Sequence, residues 1–342
     1  MGKSERALRQ INDSANIPQK RAITMDDSAI IFGELKEENP LGARPREARE
    51  ILTMISEREV QAYKRDGVVV IPDVLGAATL AEVRKVIAEL VAGSANTLEH
   101  TDVYDLEPGH TAESPKVRRI KAPHKVHPIF DEIVRTTAVL DILRKLIGPG
   151  LRLHGSKLNM KSAHYGSPVE WHQDWAFYPH TNDDILAIGV LLDDTDLSNG
   201  PMLVTPGTHT GEVWNHHGDD GCFAGLIDPD TIKSEIERAV PCMGRAGSMS
   251  FHHVRALHGS ALNTSDRSRN LLLYEVAASD AWPLMGVKDF DEFNSRLLSG
   301  DPTVTPRLTN VPVRMPLPPA RRQGSIYETQ SAAKKSYFTR AA

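Results

Sequence analysis

The sequence predicts an all-β core with flanking helices, arranged as a double-stranded β-helix, the jelly roll of the cupin kind. From residue 151 onward, short apolar runs alternate with turn signals such as the Ser-Asn-Gly-Pro stretch at 198–201. That pattern is typical of strands in an antiparallel barrel. The preceding part of the chain repeats apolar residues at helical spacing, which suits helices packed on one face of such a sheet.

The elements follow in a clear order. Ser56 and Glu59 form a capping box that starts a helix, and Gly67 ends it before a buried strand at 68–72. Residues 79–92 form an amphipathic helix. We predict a further helical region at 128–147 and strands at 117–121, 151–161, 185–192, 202–206, 247–253 and 270–277.

Changes in polarity, periodicity and proline content along the chain predict three segments. Residues 1–55 are polar and weakly periodic, and we expect an N-terminal arm or lid. Residues 56–285 form the jelly-roll domain, with an insertion at about 211–241 over one mouth of the barrel. Residues 286–342 form a loop-rich C-terminal extension that contains many prolines.

Composition excludes several classes of function. The formal charge of −5, without a basic block, argues against a nucleic-acid or anionic-membrane partner. No apolar run approaches the roughly 18 residues that span a bilayer, and the N-terminus lacks the apolar stretch of a signal peptide. Cys222 and Cys242 fit a reducing compartment, although a single disulfide between them stays open. We therefore expect a cytoplasmic protein; its oligomeric state is not predicted.

One short motif carries most of the chemistry. His172 and Asp174 are two residues apart, so in an extended strand their side chains point to the same face. His258 comes much later, after a predicted strand, and early and late strands of a jelly roll are neighbours. Two histidines and one carboxylate form the facial triad that binds non-haem Fe(II) and leaves positions open. His252 and His253 are alternatives for the third ligand.

A second constraint comes from Arg269, eleven residues after His258, in an apolar strand. A buried guanidinium is costly unless it meets an anion, and a carboxylate matches its two-pronged geometry. Beside a facial triad, the candidate is the distal carboxylate of 2-oxoglutarate, whose keto-acid end would chelate iron and leave one position for dioxygen. The alternative is that Arg269 pairs with an internal Asp or Glu, or faces solvent at a sheet edge.

Four motifs in this order resemble the phytanoyl-CoA dioxygenase family. They are the Arg-Asp-Gly-Val-Val-Val-Ile-Pro stretch at 65–72, the His-Gln-Asp motif at 172–174, the turn-strand-turn at 199–209, and His258-Gly259-Ser260 with Arg269. The match covers roughly residues 57–285. The resemblance implies Fe(II) bound by His172, Asp174 and His258, 2-oxoglutarate anchored by Arg269, and O2 as the oxidant.

The resemblance also implies residues that line the co-substrate pocket, and position after the metal motif suggests residues for the substrate side. The co-substrate candidates are Lys121, Lys157 and Ser260, and either lysine could instead be a solvated surface charge. The candidates for the substrate side are Trp175, Phe177, Tyr178 and His180, which continue the metal motif. For Trp175 and Phe177 the alternative is that they belong to the barrel core.

The expected activity is hydroxylation of an unactivated C–H bond in a small organic substrate, with release of succinate and CO2. That substrate could be a secondary metabolite, an amino-acid derivative or an acyl compound. Asp174 argues against halogenation, because related halogenases replace this carboxylate so that chloride can bind iron. One alternative is a metal-dependent jelly-roll isomerase or hydrolase that does not use 2-oxoglutarate; another is a non-catalytic binding protein. The regions that normally shape the substrate pocket depart from the family, so the sequence does not identify the substrate.

Overall fold

The computed structural model describes residues 55–164, 166–331, 333 and 335–338. The arm predicted at 1–55 therefore lies, except for Ile55, outside the described residues. In the part that is described, the strands form one sheet of eight and one of four, and every named pairing is antiparallel. Residues of both sheets line one interior cavity, as in the predicted jelly roll.

The larger sheet has the order β1-β9-β6-β11-β4-β3-β2, with β12 also paired to β4. Its strands are β1 Val68–Ile71, β2 Tyr104–Leu106, β3 Val117–Lys121, β4 Leu151–Lys161, β6 Ile185–Leu191, β9 Met249–His253, β11 Arg269–Ala278 and β12 Leu297–Ser299. The smaller sheet has the order β5-β10-β7-β8. Its strands are β5 Val169–His172, β7 Met202–Val204, β8 Val240–Cys242 and β10 His258–Ser260.

The helices before residue 150 pack on the larger sheet in one core cluster, and shorter helices follow later in the chain. They are α1 Glu57–Asp66, α2 Ala77–Gly93, α3 Pro123–Val126, α4 Pro128–Val134, α5 Thr137–Ile147, α6 Lys233–Ile236, α7 Phe290–Ser295 and α8 Ile326–Ser331. Helix α1 starts at the predicted capping box, in which Ser56 and Glu59 bond each other's backbone amides, and Gly67 ends it in the left-handed conformation. Within the described ranges, no helix is long and apolar enough to cross a bilayer.

Strand β11 shows how the sequence separates core from cavity. Leu272 and Tyr274 point outward into the core cluster shared with helices α4 and α5. The residues between them, Leu271 and Leu273, point inward and line the cavity together with Arg269. The alternation follows from the two-residue period of a strand, so one strand serves both the packed core and the site.

The smaller sheet brings distant parts of the chain together. Strand β10 lies between β5 and β7, and His258 is directly opposite His172. Glycine suits position 259, because a Cβ would lie 3.1 Å from the Val169 carbonyl oxygen and 3.1 Å from the ring of Phe338. A larger residue would therefore require one of these neighbours to move.

The chain after residue 286 returns to the barrel. It contributes α7, β12 and α8 to a segment predicted only as loop-rich. The Gln330 side chain accepts from the Glu170 amide at 3.0 Å and donates to the Gly225 carbonyl at 2.8 Å, while Phe338 stacks on Trp171 with ring centroids 5.8 Å apart. The division into three segments stays a prediction. The contacts of Gln330 and Phe338 hold this part of the chain against β5, the strand that carries His172.

Candidate metal centre and adjoining cavity

The two parts of the metal motif have different backbone structure. Strand β5 ends at His172, and Asp174 begins a short 3-10 turn, Asp174–Ala176. The sequence predicted both residues in one strand. Gln173 between them is still extended, with φ −117° and ψ 129°, so the two side chains share a face as expected. His258 follows the predicted strand, observed as β9, and is itself the first residue of β10.

The ligand atoms of His172, Asp174 and His258 all lie within 4.8 Å of one another, and the three residues are buried. His172 Nε2 is 3.7 Å from Asp174 Oδ1, and the two imidazole centroids are 4.1 Å apart. The grouping combines two imidazole nitrogens with one carboxylate oxygen on one side of a cavity. A divalent transition metal suits this donor set.

Hydrogen bonds fix which nitrogen of each histidine faces the centre. His172 Nδ1 is 2.7 Å from the Glu170 carbonyl oxygen, and His258 Nδ1 is 3.0 Å from that of Ala256. A carbonyl only accepts, so each Nδ1 carries the proton and each Nε2 keeps its lone pair for a metal. Burial, and then the neighbouring imidazoles of His172 and His252, lower the pKa of His258 well below its usual range. The residues therefore fit a bound metal ion.

The carboxylate of Asp174 is held ionised. Burial alone would raise its pKa, but the Lys157 ammonium and the imidazoles of His172 and His252 outweigh that effect and hold the pKa well below the usual range. Lys157 Nζ lies 4.0 Å from Asp174 Oδ1. An ionised carboxylate is the form that ligates a cation.

The two alternative histidines lie on either side of β9. His253 faces away from the centre, where its Nε2 is 3.9 Å from Asp183 and its Nδ1 accepts from the Arg255 amide. His252 faces inward, with its Nε2 3.7 Å from Asp174 Oδ2, and neither of its ring nitrogens has a hydrogen-bond partner among the described residues. His252 adjoins the centre without belonging to the three-residue group.

The insertion at about 211–241 positions the motif from outside. The Gln173 amide donates to His216 Nε2 at 2.9 Å, and its side chain donates to the carbonyls of Arg255 and Glu212. The Trp214 amide donates back to Gln173 Oε1. Burial lowers the pKa of His216 to about 3, which suits a neutral acceptor. The sequence predicted this insertion over one mouth of the barrel without revealing its contact with the metal motif.

A cavity adjoins the metal centre, and Arg269 lies deep within it. Its side chain is 2% exposed and donates to the Gly200 carbonyl, while its Nε has no partner in the described chain. No acidic side chain among the described residues forms an ion pair with it, so the alternative of an internal partner is not observed. Burial lowers the pKa of Arg269 to about 10. A buried, unpaired guanidinium fits the carboxylate of a bound ligand.

Lys161 is a cavity residue that the sequence reasoning missed. It is directly opposite Arg269 on the neighbouring strand, and its ammonium donates to Ser260 Oγ at 3.0 Å and to the Ala261 carbonyl. Burial, and then the charge of Arg269, lower its pKa well below the usual range. The signal was present, because Lys157 and Lys161 are four residues apart on one strand and share a face.

Two further missed residues close the cavity. Arg119 donates from Nε to Asn159 Oδ1 at 2.9 Å, and its guanidinium lies 5.0 Å from the ring of Tyr327. Tyr327 belongs to α8, near the end of the chain. The spacing of the sequence gave no signal that so distant a residue lines this cavity.

Of the two lysines predicted to line the co-substrate pocket, only one lines the cavity. Lys121 is held outside the cavity, where its Nζ lies 2.9 Å from Asp105 Oδ1 and donates to the Thr101 carbonyl. Arg119, two positions earlier, reaches the cavity instead. Lys157 does line the cavity, and its Nζ lies 2.8 Å from Glu275 Oε1. Ser260 lines it as well.

The four residues predicted for the substrate side also have different surroundings. Trp175 lies in an apolar cluster and donates from Nε1 to the Pro312 carbonyl, so it belongs to the packed core. Phe177 packs edge-on against His172, with centroids 5.6 Å apart. Tyr178 and His180 gather around His154, whose ring centroid is 4.6 Å and 5.0 Å from theirs.

Fold and site together define a class of protein. A buried His-Asp-His group in a jelly roll, with room left beside it, is the arrangement of the non-haem Fe(II) oxygenases. The basic cavity next to it fits a dicarboxylate co-substrate.

Comparison with known proteins agrees with this class. The family model "Phytanoyl-CoA dioxygenase (PhyH)" matches residues 63–271. A "Probable alpha-ketoglutarate-dependent hypophosphite dioxygenase" of Stutzerimonas stutzeri is 35% identical, over 83% of this chain and 100% of that relative. An "L-proline trans-4-hydroxylase" of Streptomyces griseoviridis is 29% identical, over 62% and 82% of the two chains. The solved structure of EctD from S. alaskensis with 2-oxoglutarate and 5-hydroxyectoine has a TM-score of 0.59 and 25% identity, and covers 77% of this chain and 89% of that one.

The chain belongs to the phytanoyl-CoA dioxygenase family. It is an Fe(II)- and 2-oxoglutarate-dependent dioxygenase, alpha-ketoglutarate being another name for the same co-substrate. The predicted family, fold class, enzyme class and cofactors are thereby confirmed, and the isomerase or hydrolase alternative loses its support.

Proposed function

We propose that His172, Asp174 and His258 hold the catalytic Fe(II) and that Arg269 anchors the distal carboxylate of 2-oxoglutarate. The observation that carries this proposal is a buried guanidinium without an acidic partner, in the same cavity as three convergent metal donors. When bound, iron and 2-oxoglutarate supply the activation of O2, which places one oxygen atom in the substrate and one in succinate and releases CO2.

The residues of the cavity orient the co-substrate. The Arg269 fork can donate two parallel hydrogen bonds to a carboxylate, which fixes both its position and its plane. Ser260 Oγ, which accepts from Lys161, can turn its own proton toward the same carboxylate. Leu271, Leu273 and Tyr327 line the cavity and exclude water from it.

The proposed reaction is hydroxylation of a C–H bond in a small organic molecule in the cytoplasm. Buried, unpaired Cys222 and Cys242 agree with a reducing compartment. The curated relatives named above act on small molecules, among them proline. A second candidate is oxidation of hypophosphite, which is favoured by the relative of that name that matches along its whole length.

The first experiment is anaerobic visible absorption of the metal-free protein, titrated with Fe(II) and then 2-oxoglutarate. We expect a metal-to-ligand charge-transfer band, since the keto acid chelates a triad-held iron. Asp174→Ala should lose the band and lower succinate release at least about 1000-fold, because a ligand is gone. Asp301→Ala, an exposed acid away from the cavity, is the control.

The outcomes separate the candidates. Tight Fe(II) binding without a band on addition of 2-oxoglutarate would refute the proposed site. With the band present, succinate release stimulated by hypophosphite would favour the second candidate. Stimulation by organic molecules alone would favour the first.

A further inference from the structure

A buried ion pair lies beside Asp174, and its acidic member is on β11, the strand that begins with Arg269. Lys157 Nζ is 2.8 Å from Glu275 Oε1 and 4.0 Å from Asp174 Oδ1. The Glu275 side chain is 7% exposed and that of Lys157 is 23% exposed. Charged pairs inside a barrel are costly to desolvate and contribute little to stability compared with apolar residues. Their place beside a metal ligand therefore suggests a role in binding.

The strands leave room for this pair. Lys157 is on β4 opposite Leu273, and Glu275 is on β11 opposite Gly155. A Cβ at position 155 would lie 3.0 Å from Glu275 Oε2, so glycine leaves the space that the carboxylate uses. The two residues are diagonal neighbours, roughly 7 Å apart at the backbone. Their long side chains meet now, and they can swing apart around a small ligand.

Polar groups surround the pair. The buried Tyr178 hydroxyl has no hydrogen-bond partner of normal geometry in the described part of the chain. Its pKa is raised well above the usual range by burial and then by the carboxylates of Asp174 and Glu275. The His154 ring packs on that of Tyr178. These groups offer hydrogen bonds, but they add no net charge to the balanced pair while His154 is neutral, as its lowered pKa favours.

We propose, on the basis of the proposed function above, that Lys157 and Glu275 form the binding site of the primary substrate and select a small zwitterion. Its oxyanion replaces Glu275 at Lys157, and its ammonium group replaces Lys157 at Glu275.

Charge balance argues against ligands with a single charge, which include the hypophosphite of the second candidate. An anion that binds Lys157 leaves Glu275 buried and unpaired, and places the anion beside the carboxylates of Glu275 and Asp174. A cation that binds Glu275 leaves Lys157 unpaired. Removing one partner of a buried pair carries a large cost, whereas a zwitterion restores both contacts. With the two residues swung apart, roughly two to four atoms fit between the ligand's charges.

The test measures binding without turnover. The protein is loaded anaerobically with Fe(II) and 2-oxoglutarate, the charge-transfer band is recorded, and ligands are titrated by calorimetry. The probes are β-alanine, its anion-only counterpart propionate and its cation-only counterpart propylamine, with the sulfonate and phosphonate analogues of the first two. At least one zwitterion should bind roughly 10- to 100-fold more tightly than both of its counterparts, as expected for charged hydrogen bonds.

Variants assign the preference to the pair. Lys157→Met should abolish the advantage of the zwitterion over the cation, and Glu275→Gln its advantage over the anion. Because each single variant leaves a buried charge, Lys157→Met/Glu275→Gln serves as the folded reference and should show no zwitterion preference. The control is Lys125→Met/Glu292→Gln, an exposed Lys–Glu pair with the same 2.8–2.9 Å geometry outside the cavity, and it should behave as wild type.

Three results would overturn the inference. If the band forms but no zwitterion in the panel is preferred to its counterparts, the substrate class is wrong. If the preference survives in the double variant, Lys157 and Glu275 are not its source. In both cases the proposed function stands. If no band forms, the proposed function fails and this inference fails with it.

Discussion

The barrel interior has two ends, and they differ in whether their buried charged side chains form ion pairs with each other. At the co-substrate end, defined by Arg119, Lys161 and Arg269, no acidic side chain of the described residues is ion-paired to the buried cations. Beside Asp174, Lys157 and Glu275 neutralise each other. Unpaired cations need an anion from outside, so the first end depends on a ligand. The second end is electrically balanced without a ligand, so it can discriminate between ligands by their charge.

The largest effect expected at the co-substrate end is that of Arg269→Met. Binding of 2-oxoglutarate should weaken by about 100-fold, or ~2.7 kcal/mol, because a buried bidentate contact is lost. The ligand-free variant should melt at the same temperature or higher, since an unpaired buried cation is gone. Titration of the charge-transfer band and thermal melting with and without 2-oxoglutarate measure both.

The matched control is Arg238→Met, an exposed arginine. If Arg269→Met lowers the melting temperature of the ligand-free protein and leaves 2-oxoglutarate binding unchanged, the guanidinium is structural and the contrast between the two ends is wrong.

Lys161→Met should have a smaller effect, weakening 2-oxoglutarate binding about tenfold. Its pKa is depressed by burial and by Arg269, so the folded protein binds fewer protons here than the unfolded chain below the ordinary value of 10.5. This contribution makes the ligand-free protein more stable as pH rises through that window. The variant should show a flatter dependence of melting temperature on alkaline pH, with exposed Lys85→Met as the control. An unchanged slope would contradict the depressed pKa.

Tyr327→Ala should weaken 2-oxoglutarate binding about fivefold, because its ring lies over Arg118 and Arg119 and lines the cavity. The control is Tyr337→Ala, which removes a tyrosine from the same tail that packs on Trp171 instead. Equal affinities of the two variants for 2-oxoglutarate would show that the tail contributes only general packing.

The smallest effect is expected for Lys121→Ala. Its ammonium is held by Asp105 outside the cavity, so the affinity for 2-oxoglutarate should stay within about twofold of wild type. A loss comparable to that of Lys161→Met would place Lys121 at the co-substrate end after all.

Local patterns predicted much of this molecule. The capping box at Ser56, the strand periods and the two-residue spacing of His172 and Asp174 are physical rules that act over a few residues, and the structure follows them. Arg269 was found because a charge in an apolar strand needs an explanation. Lys161 obeys the same rule at the end of a strand, where an exposed lysine is ordinary, so it drew no attention.

Contacts between distant segments could not be predicted. Tyr327 reaches the cavity from the far end of the chain, and His216 supports Gln173 from an insertion. Neither stands in a periodic pattern that points inward. Lys121 shows the converse, because its neighbour Asp105 on β2 determines where its ammonium goes, and strand pairing of that kind is not legible in one sequence.

The direct pairing of His172 with His258 also bears on how the protein folds. Strands β5 and β10 share a short ladder with an irregularity between His258 and Ser260, so the backbone alone holds this seam weakly. An ion bound to both imidazoles would link β5 to β10 and close the long loop of chain between them, as a covalent cross-link does. Iron bound by the proposed ligands would therefore stabilise the smaller sheet as well as take part in catalysis.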